Sequence, residues 1–266
     1  MKLEENMEYP KVLDNDEALH PELTWRDFNM HNMNIQHDKM LYLKDVIDII
    51  DAHRFVDDFC NLPDVTYIWD LLQSPGTSGV AAVACADEVN GVLELVTEGD
   101  DNDNGELVQQ CECWKLVDCY PLYTELRFKL SDAEDSDFWF GLITGVAGFF
   151  AGAPDDYVVF KKDDDGNNLD FANATNTVGN DTDTTIDLVD DTWYRIAFHW
   201  DGDETIRWWV LADGDFPQTV LATGTVTTHI VQDQELTIGF GVQAGEAAAK
   251  TLSVDYLKIA QKRVIE

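Results

Sequence analysis

Basic residues are scarce in this chain. Seventeen lysines and arginines stand against 52 aspartates and glutamates over 266 residues, a formal net charge of −35 and a pI of about 4.1. A surface of that sign repels phosphate backbones and anionic lipid, which argues against nucleic acid and membrane as partners. Long apolar runs are missing as well. The opening residues, MKLEENMEYP, hold no apolar stretch of the kind a secretory leader needs. The longest apolar run, Phe138 to Ala153, is too short and too rich in glycine to cross a bilayer. Synthesis in a cytoplasm is therefore the expectation. Cysteine supplies no framework: the five at Cys60, Cys85, Cys111, Cys113 and Cys119 are odd in number and form no CxxC pair. They are expected to be reduced and to act as small buried hydrophobes. Cys111 and Cys113 would share one face of a strand, but no further ligand lies nearby at metal-binding spacing. No Ser-His-Asp or Cys-His set can be placed, and no internal repeat is present.

Apolar residues make up 45% of the chain, enough for a substantial core. The stretch Asp191–Gly214, DTWYRIAFHWDGDETIRWWVLADG, carries the fold signal. Tyr194, Ile196, Phe198 and Trp200 alternate with Trp193, Arg195, Ala197 and His199. After Asp201-Gly202, Ile206, Trp208 and Val210 alternate with Arg207, Trp209 and Leu211. Period-two alternation rich in aromatic and β-branched residues predicts two strands joined by a tight Asp-Gly hairpin turn. Bulky side chains on both faces place the pair inside a layered sheet rather than at its edge.

From Phe55 onward the pattern stays β. Strands are predicted over 65–71, 79–86, 91–98, 107–117, 121–130, 138–150, 156–162, 168–174, 184–189, 192–200, 205–212, 218–223, 235–243 and 251–261. The acidic segments Glu98–Gly105, Asp163–Asn168 and Gly179–Asp183 read as loops. Many short strands with no helices between them imply an all-β, two-sheet antiparallel sandwich over residues 55–266. Residues 1–54 read as a polar arm. Within it, Met40, Leu43, Val46, Ile47 and Ile50 fall on one face at helical spacing, predicting an amphipathic helix over about 38–53 with Asp38 as N-cap. A strand competes for Val46–Ile50. Such a stripe needs a docking partner, either the β domain or another subunit.

Asp100, Asn102, Asn104 and Gly105 match the opening of a calcium loop. The twelfth position is Cys111 instead of a bidentate glutamate, so any calcium would be held weakly; an acidic hairpin turn is the plainer reading. Asp163-Asp164-Asp165-Gly166-Asn167 reads as a turn. Glycan binding would need exposed aromatics, for which Trp139, Trp193 and Trp209 are candidates, although such residues ordinarily fill a sandwich core.

Several of these segments together carry a resemblance. They are FVDDF at Phe55–Phe59 with Trp69 downstream, NGVLELVTEGDDND at Asn90–Asp103, ELRFKL at Glu125–Leu130, and Phe140–Leu142. TWYRIAFHWDG, IRWWVLADG and the terminal LSVDYLKIAQKR (Leu252–Arg263) complete the set. Their order over about residues 55–263 resembles the concanavalin A-like (laminin G-like) jelly roll. More narrowly, it is similar to β-sandwich proteins of tailed-bacteriophage virions. The resemblance implies a non-enzymatic virion protein, of the capsid decoration type, on the outer surface of a phage head. Its partners would be capsid protein and further copies of itself, a homotrimer in one version, with the arm as anchor. The alternatives it leaves open are a glycan-binding adhesin or fibre domain and, third, a glycan-cleaving enzyme. Enzymes of this fold carry an E-x-D-x-x-E strand, and a retaining mechanism needs two carboxyls about 5–5.5 Å apart. The nearest approach, Glu98 to Asp103, ends in Asp and contains Gly99 and Asn102, which favour a turn. No cofactor is expected beyond weak calcium.

Overall fold

The structure, a computed structural model, describes residues 52–60, 67–73, 82–86, 91–214 and 219–262. Among these residues there are fifteen strands and no helix. One antiparallel sheet runs in the order β13 (Val220–Val226), β12 (Ile206–Ala212), β11 (Tyr194–Trp200), β6 (Leu122–Leu130), β15 (Thr251–Lys262), β4 (Val92–Val96) and β3 (Ala82–Ala86). Its eighth strand, β1 (Ala52–Asp57), pairs with β15. The second sheet has seven strands in the order β10 (Val178–Asp187), β9 (Asn168–Thr175), β8 (Tyr157–Lys162), β7 (Ser136–Ile143), β14 (Thr237–Ala244), β5 (Asn104–Gln109) and β2 (Trp69–Gln73). The described residues form the two-sheet antiparallel sandwich expected from the alternation, with the jelly-roll form that the resemblance implied.

Alternation explains the layers. On β7, Phe138, Phe140 and Leu142 enter the space between the sheets, whereas Trp139 and Ile143 lie on the outer face. The inter-sheet core is aromatic: Phe128 stacks on Phe138 at 4.3 Å, and Phe171 stacks on Trp208 at 5.9 Å. Each such side chain contributes about 1.5–3 kcal/mol by leaving water. β11 and β12 pair from Tyr194↔Ala212 to Trp200↔Ile206 inside the eight-stranded sheet, as their two loaded faces require. The connection is longer than the predicted tight turn. Five residues, Asp201–Thr205, lie between the paired ends, and the Asp201 carboxylate accepts the N–H groups of Asp203 (2.9 Å) and Thr205 (3.1 Å).

Other expectations are corrected. Gly179–Asp183 is strand, not loop, because β10 is an edge strand whose polar residues pair with β9 on one side only. Charge on an edge strand discourages pairing with a further chain. The strand predicted over 138–150 stops at Ile143, since Gly145 and Gly148 take positive φ. The one over 107–117 ends at Gln109; beyond it, Trp114 makes an isolated bridge to Leu236. Ala52 and His53, assigned to the end of the helix, belong to β1, whose pairing with β15 begins the sandwich three residues before Phe55. The rest of that helix, with Met40, Leu43, Val46, Ile47 and Ile50, lies outside the described residues.

Candidate functional site

The outer face of the seven-stranded sheet carries one continuous row of paired positions. Glu106 on β5 pairs with Gly241 on β14, Gly241 with Trp139 on β7, Trp139 with Lys161 on β8, Lys161 with Asp170 on β9, and Asp170 with Asp183 on β10. Period-two geometry puts all six on the same face. The row has a covered half and an open half.

Glu106 anchors the covered half. Its Oε2 accepts the Trp139 indole N–H at 2.8 Å and the backbone N–H groups of Phe149 (2.6 Å) and Phe150 (3.3 Å). Phe149 and Phe150 belong to the β7–β8 connection, residues 144–156, which lies over this face. Phe149 stacks on Trp139 at 5.4 Å and meets Tyr157 edge-on at 5.5 Å. Val108, Trp139, Ile143, Val159 and Ala172 are buried on the same face, with Leu72, Phe149, Phe150 and Tyr157 packed against them. Two glycines permit the approach. A Cβ on Gly241 would lie 2.8 Å from Glu106 Cγ and 2.9 Å from Trp139 Nε1. One on Gly148, at φ +82°, would lie 2.5 Å from Glu106 Oε1. Burial pushes the Glu106 carboxyl above the ordinary glutamate range, and the three N–H donors only partly offset it.

The open half is polar. Lys161 pairs with Asp181 at 2.8 Å and approaches Asp163 at 3.8 Å. Burial works against the Lys161 charge, yet Asp181 and Asp163 outweigh it and hold the ammonium above its usual range. Asn168 donates its amide to Asp170 Oδ1 at 2.7 Å. Burial lifts the Asp170 carboxyl, with Asn168 and Lys161 pulling the other way. Tyr157, half-buried, stands two positions from Val159 and four from Lys161 on the same strand face. The exposed carboxylates of Asp181 and Asp183 complete this half. Along the face, Asp137 pairs with Gln243, which pairs with Asn104. Burial, then the charge of Asp164, lifts Asp137 to about 6. Acceptors, a mobile-proton carboxyl, an ammonium and a ring edge are the groups that recognise a polyhydroxylated ligand.

The predicted calcium residues fall at one end of this face. Asp100 and Asn102 are exposed in the turn before β5, and Asn104 is the buried first residue of that strand. The turn is shaped by its own bonds: Asp103 accepts the Asp100 N–H at 3.1 Å, and Asn102 bonds Ala244 at 2.8 Å with φ at 67°. Among the described residues, the acidic groups close enough to share an ion are Asp132, Asp135 and Glu246. The Lys250 ammonium already sits there, 2.6 Å from Asp132 and 2.7 Å from Glu246. Of the candidate tryptophans, Trp139 and Trp209 are buried, and Trp193 lies under the Arg127 guanidinium (4.2 Å) and Lys129 (5.1 Å). Cys60, Cys111, Cys113 and Cys119 are exposed, not buried as expected. They fall in loops outside the strand alternation. Sequence reading missed Glu106, Tyr157, Lys161 and Asp170. The only available signal was a charged residue at an outward position within otherwise apolar strands.

A family profile described as "SO2946-like, C-terminal domain" matches residues 125–258, half of the chain. No curated protein matches. Among solved structures, the chain is similar to the protein of unknown function SO2946 from Shewanella oneidensis MR-1, at 18% identity and a TM-score of 0.60, covering 85% of this chain and 94% of that one. It is also similar to an endo-1,3-beta-glucanase from Streptomyces sioyaensis, at 14% identity and a TM-score of 0.56, covering 81% and 98%. A third relative in fold is the lectin I from Ulex europaeus, solved with the methyl glycoside of alpha-L-fucose, at 13% identity and 0.55, covering 80% and 98%. These likenesses establish the concanavalin A-like fold.

Proposed function

The chain belongs to the SO2946-like, C-terminal domain family, and from that premise we propose that it is a saccharide-binding β-sandwich that holds its ligand without cleaving it. The observation that carries this reading is the open half of the outer row. There Tyr157, Lys161, Asp170 and Asp181 present a ring, a donor and two acceptors on one rigid sheet face. Sugar hydroxyls both donate and accept, so alternating carboxylates and an ammonium suit them, and a ring supports the apolar face of a pyranose. The glucanase and the fucoside-bound lectin lend support, since their sandwiches share this fold.

Binding without cleavage is favoured by the state of Glu106. Its Oε2 is engaged by three N–H donors, and Phe149 and Phe150 cover it. A glycosidase acid must reach the bridging oxygen of its substrate. The raised carboxyls of Glu106 and Asp137 favour the competing reading, a hydrolase whose loop moves aside. The capsid-decoration expectation comes from the order of strand segments over about residues 55–263, with residues 1–54 as anchor. Nearly all of that arm lies outside the described residues, and nothing in the comparisons supports a capsid role.

The test is calorimetric titration with β-1,3-glucan oligomers and a panel of fucosylated and galactosylated glycans. Asp170→Ala should weaken binding about tenfold, the worth of one good polar contact, while leaving melting nearly unchanged. Tyr157→Ala should weaken it as well but also lower the melting temperature, because its ring packs on Phe149 and the buried outer face. Release of reducing ends by the parent protein, abolished in Glu106→Gln, would replace this reading with the hydrolase. No binding to any member of the panel would remove both.

A further inference from the structure

The segment after β5 holds a second device, on Cys111, Glu112 and Cys113. The two sulfurs are 2.8 Å apart, and both residues are exposed. Cys113 Sγ also contacts Gln109 Oε1 at 3.6 Å, the same oxygen that accepts the Trp114 indole N–H at 2.9 Å. The residue between the cysteines reaches the covering loop: Glu112 Oε1 accepts the backbone N–H of Gly145 at 2.5 Å. Gly145 is the second residue of the connection that places Phe149 and Phe150 over Glu106. One short segment therefore joins a sulfur pair to the loop that covers half of the outer row.

We propose that Cys111 and Cys113 form a reversible dithiol whose closure to a disulfide withdraws Glu112 from Gly145 and loosens the covering loop. The sulfurs must approach to about 2.05 Å with a dihedral near 90°. With one residue between the cysteines, that adjustment falls on the backbone carrying Glu112. The oxidant is a small-molecule disulfide. The Cys111 thiolate attacks one of its sulfurs and expels a thiolate, leaving a mixed disulfide on Cys111. Cys113 then loses its proton to solvent and attacks the Cys111 sulfur, expelling the second thiolate. Two protein thiols are oxidised and one external disulfide is reduced to two thiols. The Cys113 thiol is pushed up to about 12, first by burial of its sulfur and then by Cys111, so Cys113 suits the second, intramolecular step better than the first. The ordinary use of exposed cysteines, as inert surface residues, leaves the sulfur contact and the Glu112 bond without a consequence.

The experiment treats the full chain with oxidised glutathione, then alkylates, digests and weighs the peptide containing residues 111–113. The expected product has lost two hydrogens, carries no glutathione, and returns to the alkylatable form with dithiothreitol. Cys113→Ser should instead retain a glutathione adduct on Cys111. Separate adducts on both cysteines, or a bridge to Cys60 or Cys119, would overturn the pairing. Amide hydrogen exchange then tests the coupling. Closure should speed exchange at Gly145 at least about tenfold, the loss of one hydrogen bond to a charged group. Unchanged exchange in the closed form overturns the link to the loop. Neither readout uses a saccharide, so the outcome is independent of the proposed function.

Discussion

The outer faces of the two sheets are built from the same alternation and treat their buried polar groups in opposite ways. On the seven-stranded face, Glu106 is buried with three N–H donors gathered on one oxygen. On the eight-stranded face, His199 is 3% exposed, paired in register with Tyr123 on one side and Arg207 on the other, and neither ring nitrogen has a hydrogen-bond partner. Burial, opposed by Asp201 and assisted by Arg207, lowers its pKa to about 4, so the ring is neutral at pH 7. The carboxylate on this face is served differently as well. Glu125 accepts hydroxyls from Tyr123 at 2.6 Å and from Tyr256, and burial leads the rise of both tyrosines. A satisfied buried group anchors chain, here the covering loop. An unsatisfied one stays uncharged and makes stability depend on pH.

The largest effect expected from breaking this contrast is at the anchor. Trp139→Ala removes a fully buried ring, the stacking partner of Phe149 and a donor to Glu106. Denaturant unfolding should show a loss of about 3–5 kcal/mol. A loss below about 1 kcal/mol would mean that the loop contributes little to holding this face.

His199 comes next. A base whose folded pKa lies below its unfolded value contributes stability that is intact above 6.5 and lost as pH falls toward 4. The gap is worth about 3 kcal/mol at most. Asp137 acts in the other direction. Its raised carboxyl favours folding at low pH and loses that contribution as pH rises through about 6, a smaller share because the group is partly exposed. His199→Phe should therefore flatten the acid side of the stability profile, matching the parent near pH 7 and exceeding it near pH 4.5. Parallel profiles for the two proteins would show that His199 is not the acid-sensitive group.

The smallest effect is expected at Arg127 on the eight-stranded face. It forms a two-pronged pair with Asp213 (3.0 and 2.7 Å) and a bond to Asp255 at 2.8 Å, with its guanidinium over the Trp193 ring. Its side chain is 21% exposed, so Arg127→Ala should cost only about 1 kcal/mol. Because Arg127 holds Asp213 below the usual carboxylate range, against some opposition from burial, that cost should shrink as pH falls below about 4. A cost independent of pH would assign the effect to packing alone.

What could be read from the residues was the part set by neighbours in the chain. Tyr194 to Trp200 and Ile206 to Leu211 announce strands because a pleat turns successive side chains to opposite faces, a property visible in six or seven residues. The two-sheet class and most strand positions follow from that same rule. It failed where local pattern and partner disagree: β10 is polar, and only its pairing with β9 makes it a strand. β1 was hidden for a related reason, since its assignment rests on β15, some two hundred residues away. Of the site, local reading singled out Trp139 alone. Glu106, Trp139, Lys161 and Asp170 stand on four strands spread over sixty-odd residues, each with an ordinary local context. Sheet order alone sets them side by side, and the covering loop separates the buried carboxylate from the open ones. Alternation is a short-range property and survives in the sequence; register between distant strands is decided by the packing of the whole core, so the row on the outer face exists only in the folded chain.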